Sequence, residues 1–267
     1  MIHPAHRFRA PMVALLATFA VAGVARADIS GFGNFSQFTI NQNDAGASPT
    51  VPSAGTIELT NANGEVQSIF ADAPQAITQF TASFTFKATN VSGFNGGLPG
   101  ALFVLQNDPR GASAVGNISD SNDYGFTGIA KSVGVSFDLI NNTTGLFTNG
   151  NIGGGATTIT SVTLASGDPI NIQLTYSGST LTETLTDTTT LSTFTTTDLV
   201  LTSFPTTLGG SNAYVGVAAG TSYRALAGAD EFFSNFQFTG GSAVPEPASL
   251  SLIALVGVPL LMRRRRV

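Results

Sequence analysis

Phe80-Thr81-Ala82-Ser83-Phe84-Thr85-Phe86 sets Phe80, Ala82, Phe84 and Phe86 on one face of an extended chain and three hydroxyls on the other. Successive side chains of a strand point to opposite faces, so this period of two predicts a strand with one buried face. The same alternation recurs outward from it. Val133 to Leu139 aligns Val133, Val135, Phe137 and Leu139, and Ile170 to Tyr176 alternates Ile, Leu and Tyr with Asn, Gln and Thr. Thr180 to Thr186 reads as the next strand, with Ser177-Gly178-Ser179 as a hairpin turn. The threonine-rich run from Thr180 to Thr197 is strand rather than stalk, because threonine suits a pleated surface and Leu181, Leu185, Leu191 and Phe194 punctuate it. Tyr214 to Ala219 and Phe232 to Phe238 close the body. Helical periodicity is nearly absent between Asp28 and Thr239, and no internal repeat is evident. The expected fold class is all-β: a sandwich or barrel of antiparallel strands, not a propeller or solenoid.

Composition narrows the chemistry. The chain of 267 residues has no cysteine, and its two histidines, His3 and His6, lie at the extreme N-terminus. A Ser-His-Asp triad, a Cys-His pair and a His/Cys zinc site are therefore excluded from the body. A metal there would be a hard cation held by oxygens, and calcium is the one cofactor left open. Without disulfides the domain depends on its core, which 20 phenylalanines can supply. Seven of the eleven cations sit in the terminal segments; the body carries four bases against fifteen acids, a formal charge of −11. That balance excludes a nucleic-acid partner and favours solubility or divalent-ion binding.

The two ends read as addresses. Arg7 and Arg9 precede an uncharged apolar run from Pro11 to Val24, and Ala25-Arg26-Ala27 fits a small-x-small cleavage site, so residues 1–27 are expected to be a signal peptide. At the other end, residues 241–267 hold Val244-Pro245-Glu246-Pro247, then an apolar segment over 248–262, then Arg263, Arg264, Arg265 and Arg266. Fifteen residues are short for a membrane span, which needs roughly 20. The arginines favour the cytoplasmic side. This tail resembles the PEP-CTERM sorting signal of Gram-negative bacteria. The resemblance implies a transient transmembrane helix in the inner membrane, cleavage by an exosortase-type partner, and a product secreted or held at the cell surface.

Within residues 28–240, several segments resemble the legume-type (L-type) lectin family. They are Phe80 to Phe86, Gly100 to Gln106 with the following Asn-Asp-Pro-Arg-Gly, Gly125 to Asp138, Tyr214 to Gly220, and Phe233 to Phe238. The match runs in order from about Gly31 to Thr239. It implies a concanavalin-like jelly-roll sandwich of two antiparallel sheets, here flanked by an N-terminal signal helix and a C-terminal hydrophobic helix.

The family's functional residues carry over in part. Its Glu-Phe-Asp-x-x-x-Asn metal loop corresponds to Ser136 to Asn142, so the resemblance implies calcium at Asp138 and Asn142, with Asn142 also touching sugar. Ser136 replaces the transition-metal glutamate, and Phe147 and Ile152 stand where further ligands would fall. The family's Ala-Asp-Gly segment is Leu98-Pro99-Gly100, which lacks the sugar-binding carboxylate. Pro99 either supplies a cis peptide, costing only ~0.5–1 kcal/mol before proline, or is a surface turn. Gly125, in Tyr124-Gly125-Phe126-Thr127-Gly128, matches a backbone amide that meets the ligand. Tyr124, Phe147 and Tyr223 fall in expected loops, either as faces for sugar stacking or as loop packing. Asp138 is a ligand or a satisfied carboxylate; Asn142 is a sugar contact or a turn residue.

Glycosidases need two carboxylates facing each other across a cleft. No Glu-x-Asp-x-Glu strand exists, and Asp230-Glu231 are adjacent and so point to opposite faces. The chain is thus expected not to be an enzyme. The first reading is a noncatalytic carbohydrate-binding protein of the extracellular polysaccharide matrix. The alternative is a structural or adhesive matrix protein that keeps the lectin fold without a working sugar site; a glycoside hydrolase ranks third.

Overall fold

The computed structural model describes residues 28–241, apart from 45, 94–98, 118–123, 154, 201 and 223–227. The expected signal helix, the C-terminal hydrophobic helix and both processing motifs lie outside the described residues. Among those described, no helix is long and apolar enough to cross a membrane.

Among the described residues sixteen strands follow in chain order. They are β1 Ile29–Ser30, β2 Phe38–Gln42, β3 Thr50–Ser53, β4 Thr56–Thr60, β5 Val66–Ala71, β6 Gln75–Ala76, β7 Gln79–Ser92 and β8 Gly100–Gln106. There follow β9 Ser132–Asp138, β10 Thr143–Thr148, β11 Thr157–Thr158, β12 Ile170–Tyr176, β13 Thr180–Asp187, β14 Thr193–Leu199, β15 Asn212–Gly220 and β16 Gly228–Gly241. One helix, α1 Phe204–Leu208, begins at a proline-bearing turn and ends at Gly209, whose φ is 72°.

The strands form two antiparallel sheets. The first runs β14-β13-β12-β7-β16-β4-β3, with β1 on β16; the second runs β11-β10-β9-β8-β15-β5-β2, with β6 on β15. Strands adjacent in space are often remote in sequence, as where Phe233 of β16 pairs with Phe86 of β7. The chain is a two-sheet antiparallel sandwich of jelly-roll type.

The alternation of β7 becomes its burial: Phe80, Ala82, Phe84, Phe86 and Ala88 are buried and the residues between them are not. Phe84 meets Phe103 of the second sheet at 6.3 Å and Phe137 at 6.0 Å between ring centres. Phe236 and Phe238 extend the layer on β16. Each fully buried phenylalanine contributes about 1.5–3 kcal/mol, which is how a chain without disulfides holds two sheets together. The threonine-rich run forms the β13–β14 hairpin, and Gly178, at φ 99°, turns β12 into β13.

β9 departs from the simple alternation. All seven of its residues are buried, so both of its faces are covered. The second cover is the segment between β8 and β9, whose Ala114, Tyr124, Phe126 and Ile129 pack on Leu102, Val104, Phe70, Phe147 and Ala218 of the second sheet. The sandwich therefore has a second, smaller core outside its second sheet. A bidentate ion pair staples that layer: Arg110 Nε and Nη2 donate to Asp108 Oδ1 and Oδ2 at 2.8 and 2.9 Å. The same guanidinium donates to the Val115 and Gly128 carbonyls. Burial alone would raise the Asp108 carboxyl, but Arg110 and the amides of Arg110 and Ala130 outweigh it and bring the pKa down to about 2.

Candidate functional site

Asp138 and Asn142, expected to form a site at the loops, spend their hydrogen bonds on the protein itself. Asp138 ends β9, where the chain turns toward β10. Its Oδ1 accepts from the amides of Ile140 and Asn141, both at 2.9 Å, and its Oδ2 from Asn141 Nδ2 at 2.8 Å and the Tyr124 hydroxyl at 3.0 Å. Asn142, at φ 52°, donates through Nδ2 to the Ile159 and Val162 carbonyls and accepts from the Leu164 amide, each at 2.8 Å. It pins the segment 159–164 against β10. Of the two readings of Asp138, the satisfied carboxylate is what the geometry displays.

These contacts do not fit a calcium ion. Calcium takes six to eight oxygens, whereas both Asp138 oxygens already accept two hydrogen bonds each. Among the described residues no three of His, Cys, Asp and Glu gather as a metal site.

The aromatic candidates are corrected by burial. Tyr124 is 7 % exposed, not an open platform, because its ring fills the second core and its hydroxyl bonds Asp138. Phe147 is also 7 % exposed and lies on strand β10 rather than in a loop. Tyr223 falls outside the described residues. Pro99 is buried, not a surface turn, and its carbonyl accepts from the Leu139 amide at 3.2 Å; the Leu98–Pro99 peptide lies outside the described residues. Gly100 is the position where Tyr124 approaches: a Cβ there would fall 2.7 Å from Tyr124 Cδ1 and 2.5 Å from the Phe137 carbonyl. Gly125 is buried at φ 77°, with room for no Cβ beside the Ala219 carbonyl. These two glycines are required for packing.

An open site lies elsewhere, on the outer face of the first sheet. A hollow of about 460 Å³ is floored by side chains from β7, β12, β13 and β16, among them Ser83, Thr85, Asn171, Gln173, Asn235 and Gln237. A second hollow, about 420 Å³, shares Thr85 and Asn235 with it and adds Lys87, Pro169 and the half-buried ring of Phe232. The register shift in β16 between Ser234 and Gln237 marks a bulge, and Asn235 sits in it at φ 54°. A bulge re-aims side chains, and here the Asn235 amide reaches Thr85 Oγ1 at 3.1 Å. Thr85 in turn donates to Asn171 Oδ1 at 2.9 Å. Ser83, Gln173 and Gln237 make no hydrogen bond to other described residues through their side chains. They face the groove ready to donate and accept. Sequence reasoning used only the apolar half of each alternating strand; the polar half of the same strands, Ser83, Thr85, Asn171 and Gln173, was the signal for this face.

Of the acidic groups near the groove, Glu183 and Glu231 point away from it, whereas Glu58 is paired with Phe232 on its face and accepts from the Thr50 hydroxyl at 2.6 Å. Glu183 of β13 turns inward, where burial pushes its carboxyl up to about 8 against a hydrogen bond from Thr144 at 2.7 Å. Glu231 of β16 is also inward; burial pushes it up to about 8, opposed by the Thr60 hydroxyl at 2.7 Å. Asp230, its neighbour, is on the other face, where it accepts from Asn90 Nδ2 at 2.6 Å. Adjacent carboxylates on opposite faces were expected, and that is their arrangement.

No family model and no curated protein matches the sequence. Solved structures do match the fold. The winged bean acidic lectin, complexed with methyl-α-D-galactose, is 15 % identical at a TM-score of 0.60, over 78 % of this chain and 94 % of that one. Arcelin-5, a lectin-like defence protein from Phaseolus vulgaris, is 15 % identical at 0.60, over 79 % and 96 %. Lectin I-B4 from Griffonia simplicifolia, in its metal-free form, is 17 % identical at 0.60, over 80 % and 99 %. The architecture of the described residues is that of the legume lectins.

Proposed function

We propose that the chain is an exported, noncatalytic carbohydrate-binding protein, destined for the cell surface or the extracellular polysaccharide matrix of a Gram-negative bacterium after processing by an exosortase-type enzyme. The observation that carries the binding half is the groove on the first sheet. Hydroxyl and amide side chains line it beside a half-buried aromatic ring, Phe232, and three of them, Ser83, Gln173 and Gln237, make no side-chain hydrogen bond among the described residues. That pairing suits a sugar, whose hydroxyls exchange hydrogen bonds while its C–H face packs on a ring. Among the described residues the lining holds no carboxylate, which supports a binder rather than a hydrolase. The export half rests on the two terminal motifs.

One observation favours the alternative, a structural matrix protein without a sugar site: Asp138 and Asn142 spend their hydrogen bonds on the protein. A glycan array separates the two readings. Signals expected from the wild type, with or without calcium, should fall at least tenfold in Phe232→Ala, for a lost apolar contact of about 1.5–3 kcal/mol. An array silent under both conditions leaves the structural reading.

A further inference from the structure

We infer that the groove takes a neutral polysaccharide, laid as an extended chain across the strands of the first sheet. This rests on the glycan-binding reading above and narrows its ligand.

The outer face is a lattice. Strand registers bring Thr197, Thr182, Thr175, Thr81 and Thr239 into one row across β14, β13, β12, β7 and β16. The next row carries Gln173, Ser83 and Gln237 at its centre, and the third carries Asn171 and Thr85. Five strands at ~4.8 Å spacing make each row about 19 Å long, longer than a single sugar needs. The two hollows join at Thr85 and Asn235, so the depression is a trough rather than a pit. A trough addresses the interior of a polymer.

Charge selects the kind of polymer. Every side chain of these three rows is Thr, Ser, Asn or Gln, each able to donate and accept but none ionised. A polyuronate or sulfated chain would need cations to pair with. Among the described residues Lys87 is the one charged side chain lining the two hollows, and Glu58 stands beside Phe232 on the neighbouring strand. The body's formal charge of −11 repels a polyanion further. A neutral chain meets neither obstacle, and its hydroxyls match the donor–acceptor character of the rows.

The test is co-sedimentation and calorimetry of the protein recovered from culture, as the cell leaves it, with neutral polymers (a β-1,3-glucan, a galactomannan, amylose) and acidic ones (alginate, polygalacturonate), at low and high salt. At least one neutral polymer is expected to bind with little salt dependence, and its oligosaccharides more tightly as they lengthen. Gln173→Ala/Gln237→Ala removes two exposed side chains that make no protein hydrogen bond, so folding should be intact by thermal melt. Affinity should fall on the order of tenfold. Preference for the acidic polymers, or neutral binding untouched by the double variant, overturns this inference and leaves glycan binding standing. Failure of every polymer and oligosaccharide to bind overturns both.

Discussion

Glu183 sits between two outward threonines, yet its carboxyl faces the core with one oxygen on Thr144 and the other without a partner among the described residues. Its pKa of about 8 compares with ~4.3 for a solvated glutamate. The folded state therefore holds a proton that the unfolded state has lost anywhere between those values. Stability from this group is full below about pH 4.3 and declines as pH rises toward 8, by at most ~1.4 kcal/mol per pH unit. Glu183→Gln keeps an acceptor for Thr144 and removes the titration. Thermal melts should show the variant gaining a few kcal/mol over wild type at pH 8.5 and nothing at pH 4; equal gains at both would refute the assignment. A second residue-scale expectation concerns Asn142. Alanine there strips three hydrogen bonds from the segment 159–164 and should cost about 2–3 kcal/mol. Chelation of calcium should leave the melting temperature of the wild type unmoved. Asp138 and Asn142 were both conspicuous in the sequence, but spacing cannot say whether a polar group turns toward a ligand or back onto its own backbone.

At the scale of elements, the described part of the layer between β8 and β9 is held by its apolar packing, by hydrogen bonds from Asn41, Asn43 and Ser68, and by the Asp108–Arg110 ion pair. Asp108 is 4 % exposed and accepts from three nitrogens besides Arg110 Nε: the Arg110 amide, Arg110 Nη2 and the Ala130 amide. Arg110→Met should loosen residues 107–117 and 124–131 while leaving β7 and β12 protected, with an overall loss of about 1–3 kcal/mol, because Arg110 is 39 % exposed and Asp108 keeps two backbone amides. Hydrogen exchange measures this directly; uniform deprotection of the molecule would contradict it. The Asp108–Arg110 contribution is present above the ordinary aspartate pKa of ~3.9 and disappears as pH falls toward 2. Strands β7, β12 and β13 were legible because each exposes one face, and alternation registers that. β9 showed the same alternation although both its faces are covered, since glycine and serine occupy its second face. β10 was missed: Asn141-Asn142 and Asn149-Gly150 bracket it with turn residues, and Gly145 breaks its pattern. Phe147 was therefore placed in a loop.

Across the whole molecule, an antiparallel sandwich or barrel could be read from period-two patterning and its two-sheet form from the lectin resemblance, whereas the groove could be read from neither. Its floor joins β7 to β16, whose paired residues Ser83 and Gln237 are far apart in the chain. A sequence displays which side chains face outward on each strand but not which strands lie side by side. Processing is likewise a property of the entire chain. Mass spectrometry of the protein recovered from culture should find Asp28 as its first residue and a C-terminus near Pro245–Pro247. A chain retaining Arg263 to Arg266 would remove the sorting role.

β1 lies antiparallel against β16, with Ile29 opposite Phe238 and Ser30 opposite Gln237. The path into the body and the path out of it therefore meet at a single corner. A tether at either end would hold the body at the same point. The same geometry makes this body transplantable: spliced into a surface turn of a host protein, it would ask for almost no spacer.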